Sequence, residues 1–267
     1  MLGAIIGDIV GSRFEWNNIK TKEFDFLTVE CKATDDSVMT LAIAKALMDC
    51  HGDYANLREK AVHCMQTIGN RYPYCDYGSM FRRWLASENP QPYGSYGNGS
   101  AMRVSACAHA AKSLEEAIEL SRKVTEVTHD HPEGIKGAEA TTVAIYMAKT
   151  GCSIAEIKEH IHQHYYPMDF TLDSIRDSYT FDGSCQGTVP QTIMAFLESN
   201  SFEDAVRNAI SIGGDSDTLA AITGSIAEAY YGVSAELREE IMDYLDDFQV
   251  SILEEFEAMF KIKTERT

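Results

Sequence analysis

The chain has 267 residues, 45% of them hydrophobic and 24% charged, with only six prolines. That composition excludes a disordered chain, a collagen and a small disulfide scaffold. Its 23 basic and 41 acidic residues leave a formal charge of −18, a field that repels phosphate backbones and argues against nucleic acid as a partner, except as a modified substrate.

The chain opens on MLGAIIGDIVGSRFEW, which reads as an apolar helix. No basic leader precedes it, Asp8 interrupts it, and no run of about 18 uncharged apolar residues occurs anywhere, so no membrane span is expected. The expected location is the cytoplasm. Seven cysteines at 31, 50, 64, 75, 107, 152 and 185 include no CxxC pair. They read as reduced thiols, and they argue against cysteine-held zinc. Gly3, Gly7 and Gly11 recur every fourth residue in the opening helix. Each costs roughly 1 kcal/mol of helix propensity, which predicts an offsetting close contact with the backbone of another buried helix. Glu15 follows that glycine face. A surface pairing with a lysine would explain it equally well.

Thr34-Asp35-Asp36-Ser37 precedes an apolar stripe of Val38, Leu41, Ala42 and Met48, broken only by Lys45. Helical spacing continues over 53–71 and 76–87. Asn89-Pro90-Gln91-Pro92 marks a loop. It leads into Tyr93-Gly94-Ser95-Tyr96-Gly97-Asn98-Gly99-Ser100-Ala101-Met102-Arg103, where alternating glycines let the backbone approach a ligand and exposed N–H groups ahead of a helix suit an anion. An ordinary glycine-rich turn has the same composition. Leu114, Ala117, Ile118, Ser121, Val124 and Val127 form one helical stripe, ended by Thr128-His129-Asp130-His131-Pro132. Helices are expected at 133–149 and 153–164, with His160 and His164 on a solvated face. Further helices are expected at 188–199, 202–211, 216–231 and 234–260. Nine acidic residues of 234–257 are assigned to the wet side of the last one. Alternating β-branched runs are nearly absent. The expected fold is all-α, one domain over residues 1–267 with ten or more helices.

The second acidic cluster, Gly213-Gly214-Asp215-Ser216-Asp217-Thr218, again precedes a helix. Capping is enough to explain either cluster alone. Each, however, offers three or more oxygen groups where a cap needs one, and carboxylates packed together without a cation repel each other. Two such helix starts meeting at a pair of hard divalent cations is the alternative.

Six segments, GAIIGDIVGSRFE, TDDSVMTLAIAKAL, GSYGNGSAMRV, THDHPEGIKGAEA, TVPQTIMAFL and IGGDSDTLAAITGSIAEAYYG, occur in this order over residues 3–232. Together they resemble the ADP-ribosylglycohydrolase family. The resemblance implies a compact all-α orthogonal bundle with two divalent cations, Mg²⁺ or Mn²⁺, in a cleft. Their ligands would be Thr34, Asp35, Asp36, Asp215, Asp217 and Thr218. Glu15 or Asp36 would transfer the proton, and Gly94, Ser95, Tyr96, Gly97, Asn98, Gly99 and His129 would hold ADP-ribose. The activity implied is hydrolysis at C1″ of ADP-ribose attached to a protein side chain or small acceptor. The loop looks closer to members acting on serine-linked or O-acetyl-linked ADP-ribose than to the arginine type. Arg13 stands where relatives often carry an aromatic or aliphatic residue, so the cleft mouth is expected to differ. A non-catalytic ADP-ribose-binding or structural member, and a hydrolase of another ADP-ribose-type nucleotide, are the competing readings.

Overall fold

The computed structural model describes residues 1–262. Among them lie fourteen α-helices and no β-strand; one isolated bridge joins Gly97 to Ser184. In chain order the helices are α1 (Leu2–Gly11), α2 (Asp35–Asp49), α3 (Leu57–Arg71), α4 (Ser79–Leu85), α5 (Ser105–Ala110), α6 (Leu114–Thr125) and α7 (Pro132–Lys149). Then follow α8 (Ile154–His164), α9 (Leu172–Ile175), α10 (Cys185–Leu197), α11 (Phe202–Ile210), α12 (Ser216–Tyr231), α13 (Ala235–Met242) and α14 (Asp247–Phe260). None is long and apolar enough to cross a membrane.

The centre is the pair α1 and α12. Every residue of α1 is buried, as a helix apolar on all sides requires. Ile5, Ile6 and Ile9 are fully enclosed, and each such side chain contributes about 1.5–3 kcal/mol. The glycine face of α1 lies directly on the α12 backbone. A Cβ at Gly7 would sit 2.0 Å from the Ala220 carbonyl oxygen, one at Gly3 2.3 Å from that of Gly224, and one at Gly11 2.5 Å from that of Ser216. The pairing order makes the helices antiparallel. It also carries the C-terminal end of α1, and Glu15 beyond it, to the N-terminus of α12, where the second acidic cluster stands. Helices α7, α10 and α11 also pack on α12, and α2 packs on α1, α3 and α14.

Several boundaries differ from the periodic reading, each for a local reason. The expected helix 234–260 is two helices. Asp246 caps α14, accepting from Phe248 N at 3.0 Å and Gln249 N at 2.9 Å, while Asp246 N donates to Gln249 Oε1 at 3.0 Å. That reciprocal cap starts a new helix where the apolar pattern runs on. Glu257, assigned to the wet side, is instead buried and held by both terminal nitrogens of Arg238 at 2.9 and 2.6 Å. Helix α10 begins three residues before 188 because Ser184 caps it by accepting from Gly187 N at 3.1 Å. The 76–87 segment contracts to α4, and 53–71 divides into a 3-10 turn (Tyr54–Asn56) and α3.

Candidate active site

Asp8 projects from the middle of α1 and receives the start of α2. Thr34 N donates to it at 2.9 Å, Thr34 Oγ1 at 2.6 Å, Ser37 N at 3.0 Å, and Ser37 Oγ also donates to it. This fixes α2 so that Asp35 and Asp36 face the N-terminus of α12. There the chain turns sharply: Gly213 and Gly214 both have φ near +70 to +80° (68° and 83°), a region that favours glycine. Asn18 holds the turn, accepting from Gly214 N at 2.7 Å and donating to its carbonyl at 2.8 Å. The two acidic clusters therefore meet. Thr218 Oγ1 donates to Asp36 Oδ2 at 3.3 Å. Oxygens of Asp8, Asp36 and Asp217 lie within 4.8 Å of one another, as do oxygens of Glu15, Asp215 and Asp217.

This crowding moves the carboxyl groups upward. Burial, then the charges of Asp215 and Asp76, raise Glu15 to about 7 despite Lys32. Burial, then Asp8, raise Asp35 to about 7. Asp36 and Asp217 are held well above the usual range, by burial first and then by neighbouring carboxylates. Burial also raises Asp8 and Asp215 against the hydrogen bonds they accept. Asp36 Oδ1 is buried with no hydrogen-bond partner. An orphaned acceptor inside an all-oxygen donor set is what a hard divalent cation would satisfy. The residues present therefore fit Mg²⁺ or Mn²⁺.

Glu15, Asp35, Asp36, Asp215 and Asp217 line one cavity of about 450 Å³ together with Ser95, Gly97, Asn98, Gly99, Arg103 and His129. Asn98 couples the two parts, its Nδ2 donating to Asp215 Oδ2 at 2.7 Å. The loop's backbone departs from expectation. Gly94 N donates to Asp130 Oδ1 at 2.7 Å, Gly97 N to Ser95 Oγ at 3.2 Å and Asn98 N to the Gly183 carbonyl at 2.8 Å. These amides are used internally, and the helix after them is one 3-10 turn, Asn98–Ser100. His129 is buried, and burial followed by the charge of Arg103 keeps its imidazole well below its usual pKa, hence neutral.

Glu15, Asp35, Asp36, Asp215, Asp217 and Thr218 thus come together with Ser95, Gly97, Asn98, Gly99 and His129. Thr34, Gly94 and Tyr96 do not line the cavity: the Thr34 hydroxyl is committed to Asp8, and the Tyr96 ring leans on His131 with centroids 5.2 Å apart. Arg13 does not line the cavity either. Its guanidinium covers the Phe14 ring at 4.4 Å and donates to the Asp25 carbonyl. His160 and His164 stack on each other at 4.4 Å and do not line the cavity. Sequence reasoning missed Asp8 as part of the cluster, although a single charge in a helix apolar on every side was the available signal. It also missed Trp16 and Phe181, stacked at 5.6 Å on the cavity rim and 75% and 48% exposed. The seven cysteines are free thiols.

The profile of the ADP-ribosylglycohydrolase family matches residues 1–265. The chain is 25% identical to the mouse (Mus musculus) protein named ADP-ribosylhydrolase ARH3, over 87% of this chain and 83% of that one. It is 26% identical to the Pseudomonas putida (strain GB-1) protein named ADP-ribosylarginine hydrolase Tri1, over 88% and 70%. A solved structure described as an ADP-ribosylglycohydrolase-related protein complex superposes with a TM-score of 0.72 at 21% identity, covering 99% of this chain and 96% of that one. At that identity the likeness speaks to the fold.

Proposed function

The chain belongs to the ADP-ribosylglycohydrolase family and is a hydrolase, and from that premise we propose that, as one domain over residues 1–267, it releases ADP-ribose by cleaving the bond at C1″ with the help of two divalent cations. The observation that carries this reading is the meeting of carboxylates from three separate segments: Glu15, Asp35, Asp36, Asp215 and Asp217 line the cavity that the glycine loop and His129 also line, and Asp8 is enclosed beside Asp36 and Asp217. Asp35, Asp36, Asp215, Asp217 and Thr218 would hold the cations, with Glu15 at their edge and Asp8 fixing the start of α2 through Thr34 and Ser37. When bound, Mg²⁺ or Mn²⁺ supplies Lewis-acid stabilisation to hydroxyl and water oxygens and offsets the negative charge of the site.

The protein's own residues do the rest. Ser95, Asn98 and His129 orient the nucleotide half of the substrate, which places the distal ribose among the carboxylates. As the bond from C1″ to the acceptor breaks, its electron pair leaves with the acceptor atom and positive character builds on the ring, where the carboxylates stabilise it. Water then adds at C1″ and releases a proton. Glu15 keeps an edge open to the cavity, whereas Asp36 is deep in the cluster, so Glu15 is assigned the proton transfer. At that edge it can give a proton to the leaving acceptor and take one from water. The resemblance of the GSYGNG sequence to members acting on serine-linked or O-acetyl-linked ADP-ribose supports those substrates ahead of arginine-linked ones.

Two substitutions test this. Asp217→Asn and Glu15→Gln are each expected to lower ADP-ribose release by about 100-fold or more with helical circular dichroism unchanged. Wild-type turnover in both variants would reject the reading.

A further inference from the structure

The mouth of the cavity carries aromatic surface that the hydrolytic reading does not use. Trp16, Met80 and Phe181 line it, and they are three of the seven large hydrophobic side chains exposed among the described residues. Large apolar side chains left open in one place mark a contact surface. Trp16 follows the 3-10 turn Ser12–Phe14 beyond α1, and Phe181 stands in the segment before α10. Their rings stack at 5.6 Å with planes 13° apart. That geometry hides one face of each ring, yet Trp16 stays 75% and Phe181 48% exposed. The outer faces are open.

Elsewhere the chain covers such faces with its own cations. Arg13 lies over Phe14 at 4.4 Å, Arg71 over Phe248 at 4.2 Å and Lys136 over Tyr166 at 4.3 Å. Among the described residues no cation covers Trp16 or Phe181, although indole is the strongest such acceptor. Two lysines of the same region are committed elsewhere. Lys20 donates to the carbonyls of Tyr179 at 2.6 Å and Ile212 at 2.5 Å, and Lys32 pairs with Asp76 at 2.9 Å. The setting is acidic: Glu15 precedes Trp16, Asp182 follows Phe181, and the whole chain carries −18. An open aromatic pair in an acidic setting fits a cationic side chain, through the ring faces and through the field.

The position of the pair says where that cation comes from. The Trp16 side chain interacts with the Glu15 carboxyl, and Glu15 is the group assigned to the leaving acceptor. The nucleotide half of the substrate is assigned to Ser95, Asn98 and His129, so it is the acceptor that passes Glu15 and meets the two rings. We propose that Trp16 and Phe181 form an acceptor-side platform that takes an arginine or lysine side chain standing beside the modified residue of a polypeptide substrate. This rests on the ADP-ribosyl reading of the cleft, and it selects among acceptors within that reading. An acetyl acceptor carries no such group and gains nothing from the platform.

The test uses serine-linked ADP-ribosylated peptides in Mg²⁺ that differ only in the residue beside the modified serine: Arg, Leu or Ala. Wild-type protein should favour the Arg peptide about fivefold in kcat/KM over each of the others. Trp16→Ala and Phe181→Ala should each bring that ratio to within about twofold of one, whereas Trp16→Phe, which keeps a ring face, should hold it at about threefold or more. The ratio is read within each variant, so a general loss of turnover does not enter it. No Arg preference in the wild type, a Leu peptide as good as the Arg peptide, or a preference that survives both alanine variants overturns the proposal. If the wild type cleaves none of the peptides, calorimetry reads the same ratio as affinity. An Arg preference in affinity that Trp16→Ala removes would then keep the platform and reject the hydrolase reading alone. Affinity without that preference, or no binding, overturns the platform.

Discussion

Asp217 is buried against Asp36, Asp215 and Glu15, and all four carboxyl groups are displaced upward by burial, with repulsion from neighbouring carboxylates added at Glu15, Asp36 and Asp217. Removing one charge should therefore help the fold while it harms the site. In EDTA at pH 8, Asp217→Asn is expected to melt about 2–4 °C above wild type, from about 1 kcal/mol of relieved repulsion. In Mg²⁺ that order should reverse, because the variant loses a ligand. A variant that melts lower in EDTA would show that the carboxylates are held by contacts other than those described. The same residues mark how far the sequence could be read. TDDS and GGDSDT stood out because each carries more oxygen groups than a cap needs. Their meeting could not be read, since Asp36 and Thr218 are joined by a bond across 182 positions. Asp8 was passed over as a break in an apolar run, because its four donors come from a segment 26 to 29 residues on.

Helix α1 shows what an element must do to hold such a site. Its glycines were legible as a close-contact face, and the contact is with α12 at backbone distance. A methyl group at Gly7 cannot be absorbed by a rotamer change, because the nearest atoms are the Ala220 carbonyl and the Ala221 nitrogen. Gly7→Ala should therefore cost about 3 kcal/mol and lower the melting temperature by roughly 6–12 °C, even though alanine is the better helix former. Because α1 and α12 carry opposite walls of the acidic cluster, the same change should weaken Mg²⁺ binding measured by calorimetry. A variant with wild-type melting and wild-type Mg²⁺ affinity would contradict this account of the pairing. Amphipathic elements such as α6 and α8 were visible from their period. Short ones were not: α5 and α9 have six and four residues, too few to establish a repeat. The break before α14 was missed because the cap at Asp246 acts locally while the apolar pattern continues.

At the scale of the molecule, the acidic cavity couples stability to pH and to cation binding. Unfolded carboxyl groups titrate near pH 4, whereas Glu15 and Asp35 titrate at about 7 in the folded, cation-free chain. Between those limits the folded state binds more protons than the unfolded state, so stability falls as pH rises. In EDTA the melting temperature should drop between pH 5 and pH 8, and saturating Mg²⁺ should recover most of the loss at pH 8 by binding the ionised site. A melting temperature that rises with pH in EDTA would be incompatible with these shifts. The all-α architecture was legible throughout, since helical periodicity persists along the chain and β-branched alternation does not. The cavity was not legible, because it is assembled from residues that only the packing of α1, α2 and α12 brings together. Release of free ADP-ribose, followed by chromatography, tests the central claim most directly. Serine- and arginine-linked peptides, O-acetyl-ADP-ribose and modified nucleic acid would each be incubated with the protein in Mg²⁺, Mn²⁺ or EDTA. The account predicts release from at least one of them with a divalent cation and none in EDTA. Release that persists undiminished in EDTA, or no release from any substrate with either cation, would contradict it.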